Sequence, residues 1–294
     1  MKPPRFNYYA PDNLPEAVRL LSTLDNARLL AGGQSLVPML NMRYALPDHL
    51  IDLNRIPDLS YIRRNGRTLE IGAMTRQREI EFSAEVAREC PLLIEAIHQV
   101  GHRQTRNRGT IGGSLCHLDP SAELVTVAAA LDATITILGP RGERRIPFSD
   151  FPAGYMTTSV QPDECLTAIS LPLWSPSHGH AFVEFARRHG DFALVSAAAL
   201  LEENASGTIE RASVTLGGVA ATPLRMTEVE QALVGRPAGS DLFQDACAVC
   251  AKIEALEDVH APSSYRQHLA VVMARRALEK AHARARERSG RRDA

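Results

Sequence analysis

Two short runs constrain this chain more than any other feature: Ala31-Gly32-Gly33-Gln34-Ser35-Leu36 and Thr110-Ile111-Gly112-Gly113-Ser114-Leu115. Each sets adjacent glycines beside apolar residues. Paired glycines reach backbone conformations that a Cβ forbids, so successive N–H groups can converge on an anion. Ser35 and Ser114 follow the pairs and each adds a hydroxyl donor. Two such loops, some eighty residues apart, suit a ligand with two linked phosphates better than one with a single phosphate. Taken singly, either run also reads as an ordinary turn. Neither is Gly-x-x-x-x-Gly-Lys-Ser/Thr, and neither is Gly-x-Gly-x-x-Gly between a strand and a helix, so a P-loop nucleotide triphosphatase and a Rossmann dehydrogenase are not expected.

The pattern around the first run predicts a small βαβ-like lobe. A strand near Phe6–Tyr8 leads to a helix opened by Asn13 with Pro15 in its first turn and apolar at Ala17, Val18, Leu20 and Leu21. Arg28–Ala31 reads as a buried strand, Leu36–Arg43 as a helical stretch whose start favours an anion, and Leu50–Leu53 as another strand. After Pro57 a second lobe begins. Asn65-Gly66 between alternating segments signals a hairpin. Helices over Ser83–Glu89 and Pro91–Val100 lead through a basic connection, Gly101–Arg108, into the second glycine run. A helix at Ala122–Leu131 and strands at Thr134–Leu138, Arg144–Pro147 and Leu166–Leu171 complete the lobe.

A boundary falls where proline, glycine and polar residues accumulate, at Pro172–Gly179. Beyond it, strands at His180–Arg188, Val195–Glu202 and Ile209–Val219 are followed by helices at Met226–Val234, Leu242–Leu256 and Tyr265–Ala285. This predicts a three-stranded sheet backed by helices, an α+β domain.

A chain of 294 residues exceeds what one compact core needs and predicts two or three subdomains. With 45% hydrophobic residues and a net charge of -1, it gives no general reason to bind nucleic acid or an anionic membrane. The local exception is the Arg-rich end, with Arg284, Arg286, Arg288, Arg291 and Arg292, read as a helix end fraying into a basic tail over 286–294. No apolar run approaches the roughly eighteen residues of a membrane span, and no charged-then-apolar leader opens the sequence, so a cytoplasmic protein is expected.

Five cysteines, Cys90, Cys116, Cys165, Cys247 and Cys250, are an odd number and no disulfide framework. Cys247-Ala248-Val249-Cys250 has redox or metal spacing but lacks a second pair and lies on an apolar helical period, so these cysteines read as small hydrophobes. Any iron-sulfur cluster would belong to another chain. The histidines, His98, His102 and His117 near the second run among them, form no zinc or nucleophile-base pattern, and no Gly-x-Ser-x-Gly elbow supports a hydrolase.

Five pieces then occur in order: Ala31–Pro38 with Asn41 and Arg43; Thr110–Ser114 with Asp119-Pro120; Arg187-Arg188-His189-Gly190-Asp191-Phe192-Ala193; Gly217-Gly218-Val219-Ala220 with Thr222-Pro223; and Tyr265-Arg266-Gln267-His268-Leu269. On these the chain resembles the FAD-binding medium subunit of molybdenum hydroxylases, of the carbon monoxide dehydrogenase and xanthine dehydrogenase type. The likeness covers nearly the whole length. It implies an α+β fold: a two-lobed FAD-binding domain of the PCMH type over 1–175, with lobes about 1–57 and 58–175, then a smaller carbon monoxide dehydrogenase flavoprotein C-terminal domain over 180–285.

The resemblance also implies FAD extended between the lobes, its pyrophosphate held by Ala31, Gly32, Gly33, Gln34, Ser35 and Leu36 and by Thr110, Ile111, Gly112, Gly113 and Ser114. Asp119 and Glu123 stand where relatives carry acids that accept from ribitol or ribose hydroxyls. The family more often has Asp at the Glu123 position, and both acids equally suit the start of the following helix. Phe192 takes the place of an aromatic, often tyrosine, over the flavin face, or else belongs to the core. Arg225 either puts positive charge near the flavin or forms a surface salt bridge.

The function implied is an FAD-carrying electron-transfer subunit without a hydroxylation site of its own. A large subunit with a molybdenum pterin cofactor and a small one with two [2Fe-2S] clusters would complete a heterotrimer or a dimer of heterotrimers. Two rivals differ in kind: an independent FAD-dependent oxidase or dehydrogenase, for which the chain offers no clear substrate base, and an interaction scaffold whose flavin site has decayed, against which both intact glycine runs argue.

Overall fold

The structure, a computed structural model, describes residues 1–288 and Gly290. The first lobe runs β1 (Asn7–Tyr9), α1 (Leu14–Thr23), β2 (Ala27–Leu30), α2 (Leu36–Asn41) and β3 (His49–Asp52). Its strands form a parallel sheet in the order β1-β3-β2. As the sequence predicts, Asn13 caps α1, its side chain accepting from the Glu16 N–H at 2.9 Å, with Pro15 in the first turn. Ala17, Val18 and Leu21 of α1 pack with Ile51 and Leu53 into the lobe's core. The first glycine run is the connection from β2 to α2, beyond the carboxyl end of a parallel strand, where open α/β sheets receive ligands.

The second lobe is a five-stranded antiparallel sheet, order β4-β5-β10-β6-β7, with helices packed on it. In chain order it contains β4 (Ile62–Asn65), β5 (Thr68–Gly72), α3 (Gln77–Glu81), α4 (Ala84–Glu89), α5 (Pro91–Gln99), α6 (Arg103–Arg108), α7 (Ile111–His117), α8 (Glu123–Ala130), β6 (Thr134–Gly139), β7 (Gly142–Pro147), a small hairpin β8 (Pro152–Gly154) and β9 (Thr157–Thr158), and β10 (Cys165–Pro172). The β4-β5 turn shifts by one residue from the expected Asn65-Gly66. Asn65 pairs with Thr68, so Gly66-Arg67 form the loop, and Gly66 supplies its left-handed position at φ 60°. The expected basic connection contains the short helix α6. It docks because Arg106 donates to Glu81 Oε2 at 3.0 Å and to the Val100 carbonyl at 2.9 Å.

Beyond residues 173–178 come β11 (Gly179–Phe185), β12 (Val195–Glu203), β13 (Ile209–Gly217) and β14 (Leu224–Arg225), in that order in one antiparallel sheet. The three long strands are those expected, and β14 adds a two-residue edge. The helices are α9 (Thr227–Leu233), α10 (Ser240–Cys247) and α11 (Ser263–Arg288). The α10 helix stops well short of Leu256. A 3-10 turn, Ala248–Lys252, follows it, and the next carbonyls and amides bond elsewhere: Gln267 Nε2 donates to the Ile253 carbonyl and the Leu256 N–H to the Val219 carbonyl, both at 2.8 Å. Cys247 and Cys250 are buried in this domain's core, as small hydrophobes would be.

From Val195 to Leu201 every residue of β12 is buried, because α8 of the second lobe contacts one part of this sheet and α11 another. A strand covered on both faces reads as a continuous apolar run. The C-terminal arginines do not begin a loose tail at residue 286. Helix α11 continues to Arg288, Arg284 donates to Glu95 Oε2 at 2.6 Å and the His180 carbonyl at 2.8 Å, and Arg288 donates to the His178 carbonyl at 3.2 Å. Arg291 and Arg292 lie outside the described residues. No helix among the described residues is long and apolar enough to cross a membrane.

Candidate functional site

At the end of β2 the chain turns outward with Gly33 in the left-handed region, φ 73°. Gln34 Nε2 braces the turn by donating to the Gly32 carbonyl at 3.1 Å, and the Val37 N–H donates to the Gly33 carbonyl at 3.1 Å. The N–H groups of Gly32, Gly33, Gln34 and Ser35 have no partner within the described chain. Ser35 makes no capping bond with its hydroxyl. Backbone donors with no internal acceptor need water or a ligand. They border a cleft of about 360 Å³ lined by Leu30, Ala31, Gly32, Gly33, Gln34, Val37, Pro38, Asn41 and Arg108.

The second run is built differently. It is the first turn of α7, not a loop. Thr110 is the N-cap, its Oγ1 accepting from the Gly113 N–H at 3.0 Å, and the Ser114 N–H donates to the Thr110 carbonyl at 3.1 Å. The Ile111 N–H bonds the Thr75 carbonyl at 3.2 Å and the Gly112 N–H the Ala73 carbonyl at 2.9 Å. A Cβ on Gly112 would sit 2.6 Å from Ala73 Cβ and 2.8 Å from its carbonyl oxygen. Gly112 allows α7 to lie directly on the segment after β5, and the N–H groups expected to meet an anion are bonded within the protein.

The two runs are neighbours nonetheless, since a Cβ on Gly113 would lie 3.6 Å from Ala31 Cβ. A Cβ on Gly32 would fall 2.0 Å from the Arg108 carbonyl oxygen, so the first lobe rests on the backbone that precedes the second run. Arg76 fastens this contact. Its guanidinium donates to the Arg108 carbonyl and to Asn54 Oδ1, while Asn54 Nδ2 donates to the Ala31 carbonyl at 2.9 Å. Burial, followed by the nearby charge of Arg108, lowers the Arg76 pKa. The sequence reading missed Arg76, Asn54 and Arg108. The cluster of arginines before Thr110 was a signal for Arg108, whereas nothing local marked Arg76.

Asp119 and Glu123 follow α7. Asp119 Oδ1 accepts from the Ser121 N–H at 2.9 Å and shapes the turn into α8. Glu123, the first residue of α8, is only 8% exposed. Burial, with the like charges of Glu184 and Asp119, pushes its pKa up to about 8. Burial raises Glu184 to about 7, and its Oε2 has no partner among the described residues. Glu184 pairs in register with Ser196, which pairs with Gly217, so this acid stands in a row across three strands facing α8.

Phe192 is 68% exposed, which removes its core reading. Arg225 serves as a brace: it donates to Glu230 Oε1, to Asp132 Oδ1 at 3.0 Å and to the Ala129 carbonyl at 3.1 Å, tying the end of α8 to β14. Those bonds match the salt-bridge expectation and leave the flavin expectation for Arg225 without support. Among the described residues no group of three or more His, Cys, Asp or Glu is arranged to hold a metal.

Comparison with known proteins joins these observations. Residues 4–174 match the family described as the FAD binding domain in molybdopterin dehydrogenase, and residues 180–281 the CO dehydrogenase flavoprotein C-terminal domain. The chain is 40% identical over 288 residues to the 6-hydroxypseudooxynicotine dehydrogenase complex subunit alpha of Paenarthrobacter nicotinovorans, covering 97% of each. It superposes with a TM-score of 0.93 on a chain of carbon monoxide dehydrogenase from Hydrogenophaga pseudoflava, at 39% identity over 97% of this chain and 99% of that one. Quinoline 2-oxidoreductase from Pseudomonas putida 86 matches with the same TM-score, 0.93, at 34% identity and the same coverage.

Proposed function

The chain belongs to the family of FAD-binding medium subunits of molybdenum hydroxylases, and we propose that within such an enzyme it is the electron-transfer subunit. In this reading it takes electrons from iron-sulfur clusters of a small partner subunit and passes them to an external acceptor. A large partner subunit carries the molybdenum pterin cofactor and the substrate site. The three chains form a heterotrimer or a dimer of heterotrimers.

The observation that carries the proposal is the open row of N–H donors from Gly32 to Ser35 in a cleft between two lobes, within a chain that matches this family along its length. That row fits a diphosphate. Its donors are unpartnered, and Arg108 is among the residues that line the same cleft. Ala31 to Leu36 would hold the diphosphate of FAD. Thr110 to Ser114 would act chiefly as the wall that fixes Ala31, with the Ser114 hydroxyl as a side-chain donor. Asp119 and Glu123 are the acids for the sugar-alcohol chain, and exposed Phe192 is a ring available for stacking. FAD supplies the redox chemistry when bound, while the chain binds it, orients it and sets its electrostatic surroundings.

The test is an absorption spectrum of the protein isolated with its copurifying partners, with heat-released cofactor identified by chromatography. FAD together with iron-sulfur and molybdenum signals is expected. FAD alone, bleached directly by an organic substrate, would replace the proposal with an independent flavoenzyme.

A further inference from the structure

Arg108 presents the first lobe with two different groups. Its carbonyl supports Gly32 and accepts from Arg76, and the residue, exposed to solvent, is part of the lining of the cleft that the unpartnered N–H groups border. No acid answers that side chain: among the described residues the guanidinium makes no ion pair and no hydrogen bond. Arg106, two residues earlier, contrasts with it, being tied to Glu81 at 3.0 Å. A second guanidinium, that of Arg76, lies near enough for the two positive charges to repel, and Arg76 is itself held by the neutral acceptors Asn54 Oδ1 and the Arg108 carbonyl. Arg76 also feels the carboxylates of Glu79 and Asp52, so the charge left without an acid beside the open row of amides is that of Arg108, a local excess of donors at one cleft. In a chain of net charge -1 this excess is local. Such a concavity favours an anion of more than one charge.

We propose that Arg108 is the charged ligand of the cofactor diphosphate, reaching from the second lobe to an anion held by the Gly32–Ser35 amides, with Arg76 as the positioning residue that fixes its backbone against Asn54 and Ala31. This rests on the FAD reading above and adds to it a residue outside both glycine runs. It also gives the interlobe contact a function: the lobe that supplies neutral donors is held in register with the lobe that supplies the charge. The guanidinium suits this task, since its planar fork can bond two phosphate oxygens at once.

The experiment uses the full-length chain stripped of flavin, with FAD affinity measured by fluorescence titration across a salt series for the wild type, Arg108→Gln, Arg108→Lys and Arg103→Gln. Position 108 performs its structural task through its carbonyl, so Gln preserves the fold, and circular dichroism checks this. Loss of a charge-assisted hydrogen bond predicts FAD binding about tenfold or more weaker in Arg108→Gln, with a shallower salt dependence. Arg108→Lys should recover part of the loss, and Arg103→Gln, on the same short helix but away from the cleft lining, should stay near the wild type. Binding in Arg108→Gln equal to the wild type would overturn the inference and leave the FAD reading standing. An equal loss in Arg103→Gln would also overturn it, because a diffuse field would then suffice. A wild type that takes up no FAD at all would remove the underlying reading together with the inference.

Discussion

At Gly32-Gly33 the chain leaves a parallel strand with its amides unpartnered and one glycine left-handed, whereas at Gly112-Gly113 it starts a helix with every amide from Ile111 to Ser114 bonded inside the protein. The dipeptide is the same and its physical use is opposite. In the first run the absent Cβ of Gly32 admits the Arg108 backbone, while the neighbouring amides stay open. In the second the absent Cβ of Gly112 lets α7 approach Ala73. A glycine pair therefore signals close approach, and only the fate of the neighbouring N–H groups tells whether the approaching group is a ligand or the protein itself.

The largest effect is expected at Gly32. Valine there would direct its Cβ to within 2.0 Å of a backbone carbonyl that Arg76 already holds, so the lobes must part. Gly32→Val should lose about 3 kcal/mol of stability, the upper range of overpacking, and copurify without flavin. Thermal unfolding and released-flavin assays read both effects. Retained flavin would show that the first run is not the diphosphate site.

Gly112→Ala should cost about 2 kcal/mol, because the new methyl meets Ala73 Cβ and carbonyl where neither can retreat without moving the segment after β5. Protein that still folds should keep its FAD affinity to within about threefold. The comparison breaks if the melting temperature is unchanged and the affinity falls, since the second run would then contact ligand directly.

The elements were legible where local chemistry decides them. Asn13 and Pro15 announced α1, and the short apolar-rich stretch Leu166–Leu171 is the expected strand, found as β10. Other features depended on partners distant in sequence. Leu256 continues the apolar period of α10, but its N–H is taken by Val219 and the helix ends early. Arg225 was undecided in sequence because its partners are the final carbonyls of α8, some ninety residues away. The site was legible as two glycine runs and illegible as a clamp, because Arg76 and Asn54 belong to neither run and become meaningful only when the lobes meet.

Charge sharpens the contrast between the runs. Arg108, which has no acid partner among the described residues, lines the cleft of the first, whereas the second continues into Glu123, an acid buried beside other acids. The folded state holds the Glu123 proton up to about pH 8, against an ordinary value of 4.5. Between those values the unfolded chain releases a proton that the native chain retains, so wild-type stability falls as pH rises across that window. Glu123→Gln should be neutral near the lower limit, become stabilising through the window by about 1.4 kcal/mol per pH unit at the steepest, and level off above about pH 8. Denaturant titrations at several pH values measure this. Parallel wild-type and variant curves would mean that Glu123 ionises normally in the fold.

The smallest change tests the second run itself. Thr110 Oγ1 occupies the Gly113 N–H, and the would-be Cβ of Gly113 lies 2.8 Å from that oxygen and 3.6 Å from Ala31. Thr110→Ala removes the cap, which should cost about 1 kcal/mol, and Thr110→Ser should restore it. It also releases one donor beside the first run. If the second run supports the site only by packing, FAD affinity in Thr110→Ala should stay within about threefold of the wild type. If the capped amide is a donor held in reserve, uncapping it should tighten FAD binding while the fold becomes less stable. Packing alone does not produce opposite movements of stability and affinity, so measuring both in one variant decides whether the second glycine run is a wall or a latent half of the clamp.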